Sequence, residues 1–428
     1  MQCHLFPEST ELVQASGSRY TQLVKLVDAI LAGSFSEECL VRDFQALQNL
    51  SHQNMQFAAS TTRWVWRILY VDCCILQSIV LLCASTAYSV IGLLDRAIII
   101  AGGGDEMRLN LILSLIGRIQ HRFLPLPTPS RKHLGKSHHS SFEPLLTAYH
   151  EVPSIKANLS LLSFQNQYSK APFVIRGYAL DWPALNDRPW SSVDYLLSVS
   201  GPSRIVPVEV GQDYRDEDWN QVLMDWDNFL YALADGDGNS KAPQEILYLA
   251  QYNLLRQFPS LCDDIMIPDY VYCSLSPQDF SGYKAPDNPD GAILNVWLGP
   301  KGATSPAHFD PYYNFYVQVV GYKTVWLSSP ASTAYMESVS LAQPKMNSMD
   351  SSRGNPLIFT GGTDSLNTSR LDVFSRGNMA ADFPLFADKV VPEAMSVVLG
   401  PGDLLFFPPG WWHGMRNEST SISMSMWF

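Results

Sequence analysis

Beyond residue 150 the chain carries only two histidines, His308 and His413, and the first stands two positions before Asp310 in PAHFDPYYNFYVQVVGYKTVW. Residues i and i+2 of an extended strand share a face, so His308 and Asp310 can hold one metal together. His413, in FFPPGWWHG about a hundred residues further on, supplies a third ligand. Two histidines and one carboxylate leave three coordination positions open, which is the donor set of non-haem Fe(II) oxygen chemistry. A His-x-Asp alone carries a high false-positive risk. Its company therefore decides.

Lys323 follows His308 by 15 residues, just past Gly321-Tyr322, in a run whose VWL alternation buries its inner face. A buried ammonium needs an anionic partner, because an uncompensated charge in a low dielectric is costly or loses its proton. A dicarboxylate co-substrate such as 2-oxoglutarate supplies one: its keto-acid end chelates iron and its far carboxylate meets Lys323. Iron so held activates O2.

The elements that must position these groups lie in two regions. Residues 1–120 read as an all-α domain, with apolar residues at three- and four-residue spacing in TQLVKLVDAILAG, VRDFQALQNL, WVWRILYVDCCILQSIVLLC and LNLILSLIGRIQ. Gly33 is placed as a helix C-cap, and Gly102 to Gly104 break a run. Within this domain residues 73–94 carry no charge and are long enough to span a bilayer. Interrupting polar residues, the flanking Asp72, Asp95 and Arg96, and the lack of a Lys/Arg cluster favour a buried helical hairpin instead. Residues 121–142 are rich in Pro, Ser and basic residues and read as a linker, in which His121, His133, His138 and His139 are solvated.

From 143 to 428 the signals turn to strands: APFVIRGYA, SRIVPVEVG, AILNVWLGP, NFYVQVVGYKTVWLSS, AMSVVLGPGDLLFFPP and SISMSMWF. VDYLLSVSG and WNQVLMDWDNFLYAL read as short helices. Gly321 predicts a two-residue hairpin of the II′ kind, and LGPGDLLFF a glycine-rich turn before a strand. Many short strands with few helices predict a jelly-roll β architecture.

Composition narrows the classes. With 46% hydrophobic and 16% charged residues there is ample material for two cores. A net charge of −12 speaks against nucleic-acid binding, which needs clustered cations. Seven cysteines without a CxxC pair read as free thiols of a reducing compartment.

HFDPYYNFYVQVVGYKTVWLSSP, NVWLGP and GDLLFFPPGWWHG resemble the JmjC-domain Fe(II)- and 2-oxoglutarate-dependent oxygenases, and IRGYALDWP, VPVEVGQDY, YLAQYNLLRQFP and IPDY agree with them. The resemblance is most specific over residues 170–428. It implies an α+β chain in which an all-α N-terminal domain precedes a double-stranded β-helix, cupin-like JmjC domain with its core jelly roll at about 290–428. It also implies that His308, Asp310 and His413 ligate Fe(II), that Lys323, Tyr248, Ser305 and Asn314 hold 2-oxoglutarate, and that Glu209 and Trp297 line the substrate pocket. A carboxylate and an indole suit a cationic side chain.

The implied activity is hydroxylation of a protein side chain, arginine first, with histone lysine demethylation as the alternative that the same chemistry permits. A small-molecule hydroxylase and an inactive metal-binding interaction protein are the other readings. The expected partner is a protein or peptide with a cationic side chain, without direct nucleic-acid or membrane binding, in the nucleus or cytoplasm. Phe309, Tyr312 and Tyr313 depart from the family's polar residues around the His-x-Asp, and with the lengthened loops 276–291 and 351–365 they are where substrate preference is expected to lie.

Overall fold

In the computed structural model, Leu12 and residues 16–126, 128–135, 142–156, 159–211, 219–236, 245–275, 280, 282–286, 288, 290–339 and 367–428 are described. His138, His139 and the loop 351–365 lie outside the described residues. The chain divides into two compact units: Met1–Thr128 with Ser200–Val206 and Asp225–Asp227, and Pro129–Val199 with Pro207–Met224 and Asn228–Phe428.

The first unit holds α1 (Ser18–Ala32), α2 (Glu37–Phe57), α3 (Ser60–Leu81), α4 (Ala87–Ala101) and α5 (Glu106–Phe123). Gly33 closes α1 in the left-handed region, where glycine carries no Cβ penalty. The uncharged stretch 73–94 is split between α3 and α4, whose buried faces meet around Val71, Cys74, Val90, Ile91 and Leu94. One described helix, over Thr61–Leu81, is long and apolar enough to cross a membrane, and 67% of its apolar window is buried. The charges flanking this stretch are internal too. Asp72 receives Arg108 Nε at 2.6 Å and Nη2 at 3.0 Å, and Asp95 receives Arg204 Nη2 at 2.6 Å.

The second unit is built from β1 (His150–Glu151), β2 (Phe173–Ile175), β3 (Ile205–Val210), β4 (Asn220–Asp225), β5 (Leu247–Tyr252), β6 (Ile293–Gly299), β7 (Thr304–His308), β8 (Asn314–Val320), β9 (Lys323–Ser328), β10 (Ser338–Val339), β11 (Thr368–Ser369), β12 (Met395–Leu399), β13 (Leu404–Phe407), β14 (Trp412–Asn417) and β15 (Ser421–Trp427). One sheet runs β1-β12-β9-β14-β7-β11-β10 and the other β2-β13-β8-β15-β6-β5-β3-β4. Consecutive strands from β6 to β9, and again from β12 to β15, alternate between the two sheets, which makes this a double-stranded β-helix. Tyr248, Trp297, Tyr316, Val325, Leu327, Leu405 and Phe407 form the buried cluster in which both sheets take part.

Two local expectations are corrected. Gly321-Tyr322 does not make a hairpin, because β8 pairs with β13 and β15 whereas β9 pairs with β12 and β14. The turn is instead a corner that carries the chain from one sheet to the other. Gly321 adopts φ +71°, and a Cβ there would lie 2.1 Å from the Thr420 carbonyl oxygen, so only glycine fits. Likewise WNQVLMDWDNFLYAL is not one helix. Its first part is β4, recruited to the sheet edge beside β3, and the helix begins at Trp226. Tertiary pairing has overridden local periodicity.

Within the stretch read as a linker, residues 121–123 continue α5. Further along, the Ser130 and Arg131 amides donate to Asp194 at 2.7 and 2.8 Å, and Lys132 Nζ pairs with Asp235 at 2.7 Å. Glu209, Tyr248 and the metal-ligand set all belong to the second unit.

Candidate active site

β7 ends at His308, and Asp310 lies two residues past its end, in the bend before β8. His413 occupies the second position of β14, which pairs antiparallel with β7 so that His413 and His308 are register partners. Their rings stand 4.2 Å apart, and His413 is flanked on another side by Phe407 at 4.6 Å. Asp310 Oδ2 lies 3.9 Å from His308 Nε2 and 3.6 Å from His413 Nε2. One ligand atom from each of the three side chains falls within 4.8 Å of the others.

The tautomers are set by the backbone. His308 Nδ1 lies 2.7 Å from the Pro306 carbonyl oxygen and His413 Nδ1 3.0 Å from that of Trp411. A carbonyl can only accept, so both Nδ1 atoms carry the proton and both Nε2 lone pairs are left for a metal. Asp310 Oδ2 is buried with no hydrogen-bond partner. Burial raises the Asp310 carboxyl pKa, against the opposing pull of His308, and burial first, then His308, lowers the imidazole of His413 far below its ordinary range. An orphaned buried carboxylate oxygen aimed among two imidazole lone pairs fits a divalent cation, whose charge would keep the carboxylate ionised.

Lys323 opens β9 and is 1% exposed. Its ammonium donates to Tyr316 Oη at 2.6 Å and reaches Tyr248 Oη at 3.4 Å, and it lies over both rings, 5.2 and 5.8 Å from their centroids. Neither neighbour is a carboxylate, and burial pushes its pKa down to about 7. Tyr248 sits on β5, where the missing side chain of Gly299 makes room: a Cβ there would lie 2.5 Å from the Tyr248 ring. Ser305 of β7 stands beside the Tyr248 hydroxyl.

Of the remaining residues expected from sequence, Asn314 begins β8 with its Oδ1 buried and without a protein partner. Trp297 packs 6.1 Å from the Tyr248 ring and donates its indole N–H to Ser425 Oγ at 3.0 Å. Glu209 is the register partner of Tyr248 and accepts from Trp219 Nε1 at 3.4 Å. Tyr248 thus links the Lys323 group to Glu209 and Trp297.

Residues 163–428 match the family described as Cupin-like domain. Over 376 residues the chain is 32% identical to Jumonji C domain-containing protein 5 of Drosophila melanogaster, an alignment covering 85% of this chain and 80% of that protein. The chain belongs to the JmjC family of 2-oxoglutarate-dependent oxygenases. JmjC domain-containing protein D of Dictyostelium discoideum is 33% identical over 267 residues, covering 62% of this chain and 53% of the relative. Lysine-specific demethylase 8 of Danio rerio is 35% identical over 300 residues, covering 70% of this chain and 62% of the relative. The chain thus spans between about half and four-fifths of these JmjC relatives' lengths.

Membership of the JmjC family implies Fe(II) and 2-oxoglutarate, and the donor set fits both. Three residues would hold the iron, and Lys323 would hold a carboxylate. Tyr316 was not foreseen from the sequence. It stands two residues after Asn314 on β8, so the period of two already put it on the Asn314 face. Tyr313, expected to bear on substrate preference, is 1% exposed and packed against Phe280, Tyr283 and Phe428, so it is core. Phe309 packs edge-on against Trp412. Tyr312 stacks on Trp427, 5.0 Å away at 12°.

Proposed function

We propose that this JmjC domain hydroxylates an arginine side chain of a protein substrate. The observation that carries the oxygenase half of this reading is the buried Lys323, whose hydrogen-bond partners among the described residues are the Tyr316 and Tyr248 hydroxyls, in the same β-helix as the His308, Asp310 and His413 cluster. The observation favouring an uncapped cation is Glu209, a half-exposed carboxylate on β3 beside an indole N–H and paired in register with Tyr248. A guanidinium donates charge-assisted hydrogen bonds to such a group. A trimethylammonium offers it no N–H donor and is better served by several aromatic faces.

In this reading His308, Asp310 and His413 hold Fe(II), Lys323 with Tyr248, Ser305 and Asn314 holds 2-oxoglutarate, and Glu209 with Trp297 receives the substrate side chain. Bound iron and 2-oxoglutarate supply the oxidation: O2 is consumed, 2-oxoglutarate leaves as succinate and CO2, and one oxygen atom is inserted into a substrate C–H bond. The chain's own residues orient the reactants and keep water from the Lys323 anchor, where the carboxylate is bound at full electrostatic strength.

Mass spectrometry of arginine- and lysine-containing peptides, unmethylated and methylated, after incubation with enzyme, Fe(II) and 2-oxoglutarate tests the proposal. The expected product is an arginine peptide heavier by one oxygen, absent with His308→Ala. Turnover only of methylated lysine, with loss of a methyl group, replaces hydroxylation by demethylation. No succinate from any peptide pool removes the enzymatic reading.

A further inference from the structure

Four buried side chains run in a row from β8 through β15 to Lys323. Gln318, Ser423, Tyr316 and Lys323 are each at most 1% exposed. Gln318 and Ser423 are register partners across β8 and β15, and Tyr316 precedes Gln318 by two residues on the same strand.

The direction of each hydrogen bond in this row can be worked out from groups that have no choice. The Val320 carbonyl only accepts, so the group 2.7 Å from it is the NH2 of Gln318. That fixes the amide and turns Gln318 Oε1 to Ser423 Oγ, also 2.7 Å away. An amide oxygen only accepts, so the single hydroxyl proton of Ser423 points to Gln318. The Ser423 oxygen lies beside the Tyr316 hydroxyl, towards which it has only lone pairs left to offer. The phenol oxygen is left with lone pairs, and Lys323 Nζ stands 2.6 Å from it.

We propose that Gln318, Ser423 and Tyr316 form a one-way hydrogen-bond relay that presents an acceptor to Lys323 and so positions its ammonium for the far carboxylate of the co-substrate. Tyr316 is the positioning residue of this relay. With one N–H held by Tyr316 and a second turned to Tyr248, the third N–H of Lys323 is directed by exclusion. The relay matters because neither phenol supplies a negative charge: an ammonium buried without an anion is kept in place by accepting oxygens or not at all. It also gives the fully buried Ser423 and Gln318, at the centre of a sheet whose opposite face carries Val317, Met424 and Met426, a reason to be polar.

The inference rests on Lys323 as the anchor of 2-oxoglutarate, and one binding experiment separates the two claims. Calorimetry with Mn(II) in place of iron measures the affinities of 2-oxoglutarate and of 2-oxopentanoate, which keeps the chelating end and the chain length but lacks the far carboxylate. Wild type should prefer 2-oxoglutarate. Tyr316→Phe, which keeps the ring and removes the oxygen, should weaken 2-oxoglutarate about tenfold and leave 2-oxopentanoate unchanged. Ser423→Ala, which removes the middle oxygen without touching the ring, should act in the same sense at about threefold. A general disturbance of the fold would weaken both acids alike and so would overturn the relay. Wild-type discrimination that both variants retain overturns the relay and leaves the anchor standing, whereas a wild type that prefers neither acid removes the anchor and the relay together.

Discussion

His308 and His413, 105 residues apart in the chain, are register partners on β7 and β14 with their rings 4.2 Å apart, and each gives its Nδ1 proton to a carbonyl two residues before it. The same short backbone device is used twice, so both imidazoles present Nε2 towards Asp310.

A metal should therefore stabilise the catalytic unit measurably. Asp310 Oδ2 is buried without a partner, and a divalent cation binding only the folded state adds about 2.7 kcal/mol at a concentration one hundred times its Kd. Thermal denaturation with and without Mn(II) should show the rise. Asp310→Ala should abolish it while leaving the metal-free protein no less stable, because the orphaned carboxylate is gone.

Lys323→Met should separate stability from binding. The ammonium has a folded pKa of about 7 against an ordinary 10.5. Between those values the unfolded chain binds more protons than the native one, so wild-type stability rises with pH across that window. The variant, lacking the buried charge, should be more stable than wild type by about 3–5 kcal/mol at pH 6, and the difference should vanish near pH 11. Chemical denaturation across pH reads this, and a flat difference would mean that Lys323 is not the titrating group.

Binding of 2-oxoglutarate at pH 8 should take up a proton. Free Lys323 is then mostly neutral, and the carboxylate it meets holds a proton on it. The groups facing it from β5 and β8, Tyr248 and Tyr316, have pKa values raised by burial and stay neutral there, so they supply none. Calorimetry in buffers of different ionisation enthalpy should give an uptake close to one proton, falling to nothing near pH 6 and disappearing in Lys323→Met.

Gly321→Ala should be far worse than an ordinary surface substitution. The turn demands φ +71°, and the new Cβ would stand 2.1 Å from the Thr420 carbonyl oxygen. A loss of about 3 kcal/mol or more is expected, read as a lower denaturation midpoint. Because Lys323 is two residues away, affinity for 2-oxoglutarate should fall as well.

The metal ligands were legible because they are scarce residue types at a telling spacing, and Lys323 because a charge inside an apolar strand calls for a partner. The strands that carry the ligands were not. β7 contains Pro306, and β14 reads WHGMRN, with a glycine and three polar or charged residues. Only Thr304 and Trp412, the first residue of each run, have a strong β preference; the rest are strands because their neighbours pair with them. The Gly321 turn was misread for a related reason. A two-residue glycine turn has the same local chemistry whether the next strand pairs with the last or crosses to another sheet, and only partners far along the chain decide which.

The place of β15 has a consequence for synthesis. It lies between β8 and β6 and pairs with both. A nascent chain that has already emerged with β6, β7 and β8 must keep a gap open at the middle of the sheet until residues 421–427 arrive to fill it. Such a sheet matures late, and until then its unpaired edges are exposed to the wrong neighbours, which is the period when a chaperone is of most use.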